Sequence, residues 1–288
     1  MDSGRAVSLN GELVSADEAR VSALDLGFLY GYGLFETMRA RSGRIFRLEQ
    51  HLQRLRDSAE AIHLPLGGHD LAAACYDTLR ANNLVDARVR LAVSAGPGEG
   101  KPDVPANPRP TILVTASPYA PPPDDAYHRG YRAICSSVRQ NSGSPLSRLK
   151  SANYLNNLLA RDEARRSGAD EALLLNERGM VSEGSTTNVF MAMDGGLVTP
   201  EVASGCLPGI TRQAVIELAQ GLGVDVSYRE VQMEELFRAD EAFLTNSILG
   251  VMPLTEVDGL PIKGPGGLTR RLIEAYSELV ERETEAGS

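Results

Sequence analysis

Apolar and polar positions along the chain switch between a period of two and one near 3.6, which predicts strands and helices intermixed from end to end. Residues 6–14 alternate on either side of Asn10-Gly11, a dipeptide suited to a turn with positive φ at both centres, and predict a β-hairpin. Residues 34–41 and 44–48 predict a second hairpin, turning at Ser42-Gly43. Leu48, Leu52, Leu55, Ala59 and Ile62 then recur at steps of three and four, so 49–63 predicts an amphipathic helix. A second helix is expected near 69–82, and strands at 87–95 and 110–117.

The only consecutive prolines stand in Pro121-Pro122-Pro123, within a run from Ser117 to Asp125 that suits neither a helix nor a central strand. An interdomain linker is expected at 118–127, between a small N-terminal α/β domain (1–117) and a larger C-terminal domain (128–288). In the second half, strands at 131–138, 171–175, 188–192 and 241–245 alternate with helices at about 151–166, 211–222 and 268–283. The pattern is that of an α/β protein in the broad sense (α+β), with two domains and a cleft between them.

Composition narrows the function. A charge of -9 argues against non-specific nucleic-acid binding, which depends on lysine and arginine contacts to phosphate. No uncharged apolar stretch reaches about 18 residues, so no membrane span is expected, and the first residues lack the apolar region of a signal peptide. Cytoplasmic residence is the expectation. Cys75, Cys135 and Cys206 are odd in number and widely spaced, and the four histidines show no metal-ligand spacing, so neither a disulfide framework nor a metal site is expected. Lysine occurs only at 101, 150 and 263; arginine stays protonated and forms no Schiff base, so a carbonyl cofactor has few places to attach.

Lys150 stands in the hydroxyl- and amide-rich Ser147–Tyr154 segment, just before an apolar helix pattern. It reads either as a surface lysine at a helix start or as a Schiff-base lysine, with Tyr154 one turn along on the same face. Glu183, in Val181-Ser182-Glu183-Gly184-Ser185, is either a turn residue or an acid facing the pyridine nitrogen of pyridoxal 5'-phosphate (PLP). Leu207-Pro208-Gly209-Ile210-Thr211-Arg212 opens a helix whose free amides suit an anion, although Thr211 suits an ordinary N-cap equally well. Ser247 carries the same ambiguity, and Arg54 is either a solvated flank of its helix or a fixed charge reaching into a cleft. Gly96–Pro102 and Gly31–Glu36 approach a P-loop and a dinucleotide fingerprint, but each lacks required residues, and both are read as loops.

Together these segments resemble the class IV aminotransferase superfamily, the fold-type IV PLP enzymes, in the family's order over nearly the whole chain. The matching stretches are Asp25–Glu36, His51-x-x-Arg54-Leu55, Lys150 with Asn153-Tyr154, Glu183-Gly184-Ser185, Leu207–Arg212, and Ala239-Asp240-Glu241 leading to Ser247. The resemblance implies two α/β domains with PLP at the domain interface, in a homodimer. It implies Lys150 as the Schiff-base lysine and proton carrier, and Glu183 as partner of the ring nitrogen. Arg54, Thr211, Ser247 and the Ile210 and Thr211 amides would hold the phosphate, with Tyr154 near the ring oxygen.

Tyr30, Arg88 and Arg90 are the implied substrate contacts. Arg90 aligns with an arginine near the substrate in branched-chain enzymes, and Arg88 stands where those enzymes place a tyrosine. The loop Gly96-Pro97-Gly98-Glu99-Gly100 lacks the arginine of D-amino-acid enzymes. The leading expectation is therefore transfer of an amino group between a small amino acid, of branched-chain type, or an amine and a 2-oxo acid. The alternative is 4-amino-4-deoxychorismate lyase, which Arg88-Val89-Arg90-Leu91 and Thr245-Asn246-Ser247 resemble as well. A silent PLP carrier is a third reading, opposed by the intact Lys150 and Glu183.

Overall fold

A computed structural model describes residues 4–99, 101 and 103–285, and the chain divides into two compact units. Gly100 and Pro102 of the P-loop look-alike, and the outermost residues of both expected domains, lie outside the described residues.

The first unit contains Met1–Ala120, Leu149–Asn153 and the chain from Val280 onward. Its elements are β1 (Ala6–Leu9), β2 (Glu12–Ser15), α1 (Leu26–Tyr30), β3 (Gly33–Arg41), β4 (Arg44–Ile45), α2 (Leu48–Ala61), α3 (Leu71–Ala81), β5 (Ala87–Ser94) and β6 (Thr111–Pro118). Both hairpins turn where the sequence places them: Asn10 and Gly11 have φ of 53° and 88°, Ser42 and Gly43 of 51° and 78°. Such turns match the right-handed twist of the strands they join. The second arm is shorter than expected, because Arg47 takes a left-handed conformation and α2 starts at once.

The six strands run in the order β2-β1-β6-β5-β3-β4. Leu34, Met38 and Ala40 of β3 join Val89, Leu91 and Val93 of β5 and Ile112 and Val114 of β6 in one core, against Leu52, Leu55 and Ala59 of α2 and Cys75 and Leu79 of α3. Each valine, leucine, isoleucine or methionine among them, taken fully out of water, contributes about 1.5–3 kcal/mol, so the alternating strand pattern sets which face is covered.

The second unit holds Pro121–Arg148 and Tyr154–Leu279. Its elements are α4 (Asp124–Arg129), β7 (Tyr131–Gln140), α5 (Leu155–Arg166), β8 (Glu171–Asn176), β9 (Val181–Gly184), β10 (Asn188–Met193), β11 (Gly196–Pro200), α6 (Ile210–Gly221), β12 (Val226–Arg229), α7 (Met233–Arg238), β13 (Glu241–Asn246), β14 (Gly250–Val257), β15 (Leu260–Pro261) and α8 (Gly267–Thr284), whose end from Val280 belongs to the first unit. They build a mixed sheet ordered β12-β11-β10-β13-β14-β7-β8-β9, with β15 beside β14. Ala160 and Ala164 of α5 pack on Ala172 and Leu174 of β8.

Two expectations change. The helix expected from 151 starts only at Leu155, because residues 150–152 pair with the edge of β3 instead: the Phe35 N–H donates to the Lys150 carbonyl (2.9 Å) and the Ala152 N–H to the Gly33 carbonyl (2.8 Å). Lys150 therefore stands in a turn just before the bridge residue Ser151, and Tyr154 is no helical neighbour of it. The glycines at 31 and 33, read as a loop, instead end α1 and open β3. Strand β14 has no signature in the hydrophobic pattern, since it is buried along most of its length and shows no alternation. Among the described residues no helix is long and apolar enough to cross a membrane.

Candidate active site

In the first unit the lysine is held by strand pairing. Ser151 lies opposite Leu34 in an antiparallel bridge. Asn153 Nδ2 donates to the Gly31 carbonyl (2.9 Å), which joins the segment to the end of α1. Gly31 itself sits at φ 68°, and a Cβ there would meet Asn153 Oδ1 at 2.7 Å, so both conformation and space demand glycine. Lys150 is half-buried, with Nζ 4.6 Å from the centroid of the Phe35 ring. The Arg90 guanidinium lies 3.9 Å from the same centroid. Phe35 alternates with Leu34 along β3, so ring and cations occupy the sheet face turned away from the core. Arg88 shares the strand and is exposed, opposite Arg39. Tyr30, at the end of α1, is also exposed.

Arg54 lies on the other side of β3. Its Nε donates to Glu36 Oε1 (2.9 Å) and its Nη2 to Glu36 Oε2 (2.6 Å), while His51 Nδ1 approaches Oε2 at 2.7 Å. Its side chain is only 11% exposed, which rules out the solvated-flank reading. Burial works to raise the Glu36 pKa, but Arg54 and His51 together outweigh it and hold the carboxyl at about 2. Burial lowers the His51 pKa, against the opposing pull of Glu36. With Glu36 ionised, His51 Nδ1 carries the proton and donates.

The second unit gathers the other candidates. The Glu183 carboxylate, 7% exposed, accepts from the Leu207 N–H (2.9 Å) and from the Gln140 side-chain amide (3.4 Å). Leu207 in turn gives its carbonyl to Asn188 Nδ2 (2.8 Å), so strands β9 and β10 both hold the turn that precedes α6. At Gly209 a Cβ would come within 2.1 Å of Asn188 Oδ1. Gly209 is the N-cap of α6 and no side chain caps the helix, so Thr211 is a buried residue at the second position of the first turn and not the N-cap it resembles in sequence. The first-turn amides of Ile210 and Thr211 lack intrahelical acceptors by helix geometry. Burial pushes the thiol of neighbouring Cys206 to about 12, which disqualifies it as a nucleophile.

Ser247 is half-buried in the β13–β14 turn, which Asn246 shapes by accepting from the Ile248 and Leu249 N–H groups. Tyr154 donates its hydroxyl to the Ser185 carbonyl (3.1 Å). Lys150, Arg90 and Tyr30 are thus placed in one unit; Glu183, Thr211, Ser247 and Tyr154 are placed in the other. The residues fit PLP in kind: a reactive amine, a buried carboxylate for a ring nitrogen, and an uncapped helix start with hydroxyls for a phosphate.

Sequence reasoning missed Phe35, Glu36, Asn188 and Glu171. A signal existed for Glu36: it occupies an inward position between Leu34 and Met38, where a charge requires buried partners. For Asn188 and Glu171 no local signal separates them from ordinary strand ends.

Residues 33–257 match the family model described as amino-transferase class IV. A putative branched-chain-amino-acid aminotransferase of Methanocaldococcus jannaschii is 40% identical over 278 residues, covering 95% of this chain and 96% of that protein. The crystal structure of the Escherichia coli branched-chain amino acid aminotransferase superposes with a TM-score of 0.92 at 33% identity, covering 98% of this chain and 96% of that one. The 4-amino-4-deoxychorismate lyase of Pseudomonas aeruginosa superposes at 0.85 with 32% identity, over 94% and 98% of the two chains. With residues 33–257 under the family model and relatives 32–40% identical over nearly its whole length, this chain belongs to the class IV aminotransferases, a family of PLP enzymes.

Proposed function

We propose that the protein transfers an amino group between a branched-chain amino acid and a 2-oxo acid, using PLP carried by Lys150. The observation that supports this most is the pairing of Lys150 and Arg90 on one Phe35 ring. A primary amine suited to a Schiff base there stands beside a guanidinium fork suited to a substrate carboxylate. The names of the relatives favour the branched-chain substrate over elimination of pyruvate.

When bound, the cofactor supplies an electrophilic carbonyl and a ring that takes up the electrons left at the substrate Cα. Lys150 carries the proton to and from that carbon. Glu183 keeps a proton on the ring nitrogen through its buried negative charge. The Ile210 and Thr211 amides, the hydroxyls of Thr211 and Ser247, and Arg54 bind the phosphate, with Glu36 fixing the direction of the Arg54 fork. Tyr154 stands by the ring oxygen; Tyr30, Arg88 and Arg90 contact the substrate. The reading includes a homodimer, supported by the apolar surface of Phe28, Leu29 and Tyr30 on α1. It also includes residence in the cytoplasm, in keeping with three free cysteines.

The test is the visible spectrum of the PLP-loaded protein before and after L-amino acids, D-amino acids and amines, alongside an assay for pyruvate released from aminodeoxychorismate. Bleaching by branched-chain amino acids, with transfer to a 2-oxo acid, is the expected result. Pyruvate release without any amino transfer overturns the proposal in favour of the lyase.

A further inference from the structure

We propose that Glu171 is a positioning residue for the Tyr154 phenol, acting through the loop of residues 184–187. The inference rests on the PLP reading above, in which Tyr154 stands by the cofactor's ring oxygen.

Glu171 is 1% exposed at the start of β8. Its Oε1 accepts from the Ala172 N–H (2.9 Å) and from the Ser185 hydroxyl. Its Oε2 accepts from the Thr186 N–H (3.3 Å), the Thr186 hydroxyl (3.0 Å) and the Thr187 hydroxyl (3.2 Å). Five neutral donors converge on one carboxyl group, and three of the side chains are consecutive. With the side chains turned inward, the loop's carbonyls turn elsewhere. Ser185 O accepts from the Tyr154 hydroxyl (3.1 Å) and from Asn157 Nδ2 (2.9 Å), while Thr186 O accepts from Asn246 Nδ2 (3.1 Å). Tyr154 precedes α5 with φ -100° and ψ 9°, outside the regular helix, so the Ser185 carbonyl supplies a fixed point for its ring. At Gly184 a Cβ would meet Thr187 Oγ1 at 2.0 Å, which holds the loop tight against Glu171. The β8 ladders to β7 and β9 are backbone bonds and need no carboxylate. What the carboxylate does is hold the loop.

Glutamine cannot replace it. Hydroxyls rotate, but a backbone N–H does not, and each oxygen of Glu171 faces one: Ala172 at Oε1, Thr186 at Oε2. Either orientation of a glutamine amide sets its NH2 against a fixed donor.

The experiment titrates apo-protein with PLP and with pyridoxal, following the visible band and its dependence on pH. Glu171→Gln is expected to weaken both ligands by about tenfold, since a lost buried acceptor acts on the ring contact and not on the phosphate. It is also expected to shift the pH titration of the band as Tyr154→Phe does, and to add little in the Tyr154→Phe background. Thr187→Val removes one donor while keeping the shape, and is expected to give a smaller change in the same direction, which serves if Glu171→Gln does not fold. Affinity and titration unchanged in the folded variants, or effects additive with Tyr154→Phe, overturn the inference while leaving the cofactor reading intact. A wild-type protein that forms no band with either ligand overturns both.

Discussion

Glu36→Gln removes one negative charge from a cluster in which Glu36 is 0% and His51 1% exposed, and the Arg54 side chain 11%. The two carboxylate oxygens face Arg54 at Nε and Nη2, so a glutamine amide sets one NH2 against the guanidinium in either orientation. Displacing the Glu36 carboxyl from 4.5 to about 2 corresponds to about 3 kcal/mol of stability near neutral pH. Removing one partner of a buried ion pair costs about 3–5 kcal/mol by the general rule, which agrees. The expected loss is therefore about 3 kcal/mol, read from urea or thermal unfolding of the apo-protein at pH 7.

The same reasoning sets the pH dependence. A folded pKa below the unfolded one means the unfolded chain binds more protons in between, so the stabilisation is complete above 4.5 and is lost as the pH falls toward about 2. The gap between wild type and variant should close over that window. Glu49→Gln, whose carboxylate pairs with Arg56 at 75% and 42% exposure, is the control and should change little. A Glu36→Gln variant within about 1 kcal/mol of wild type, or a gap indifferent to acid, would refute the assignment of a buried charge cluster.

Lys150→Ala should abolish the visible band of the PLP-loaded protein, while Lys101→Ala and Lys263→Ala leave it; a band retained in the first variant removes Lys150 from the mechanism. Gly209→Ala drives a Cβ to 2.1 Å from Asn188 Oδ1 and should weaken PLP more than pyridoxal, because the turn it distorts is the one assigned to phosphate. Equal weakening of both ligands would contradict that assignment. Gly96→Ala would set a Cβ 1.7 Å from the Arg109 carbonyl oxygen at φ 77°, so backbone must move and the melting temperature should fall by several degrees. An unchanged melting temperature would show that this close approach is not maintained.

The features legible in sequence are those whose causes lie within a few residues. Asn10-Gly11 and Ser42-Gly43 turn because those residues accept positive φ, and α2 forms because its apolar positions recur on one side. Glu183 and the Leu207–Arg212 turn were recognisable as a linear motif. What escaped depends on partners far along the chain. Residues 150–152 abandon a helical pattern because the edge of β3, more than a hundred residues earlier, offers them hydrogen bonds, and Asn153 meets Gly31 across 122 positions. Arg54 stays open between a solvated flank and a fixed charge until folding sets Glu36 beside it, and Glu171 reads as a strand's first residue until the 184–187 loop turns its hydroxyls inward. Local propensity determined the elements and the order of the motifs. Which backbone edge is left open, and which charge is buried against which donor, were decided only when tertiary packing removed water from those groups and obliged each to find a partner.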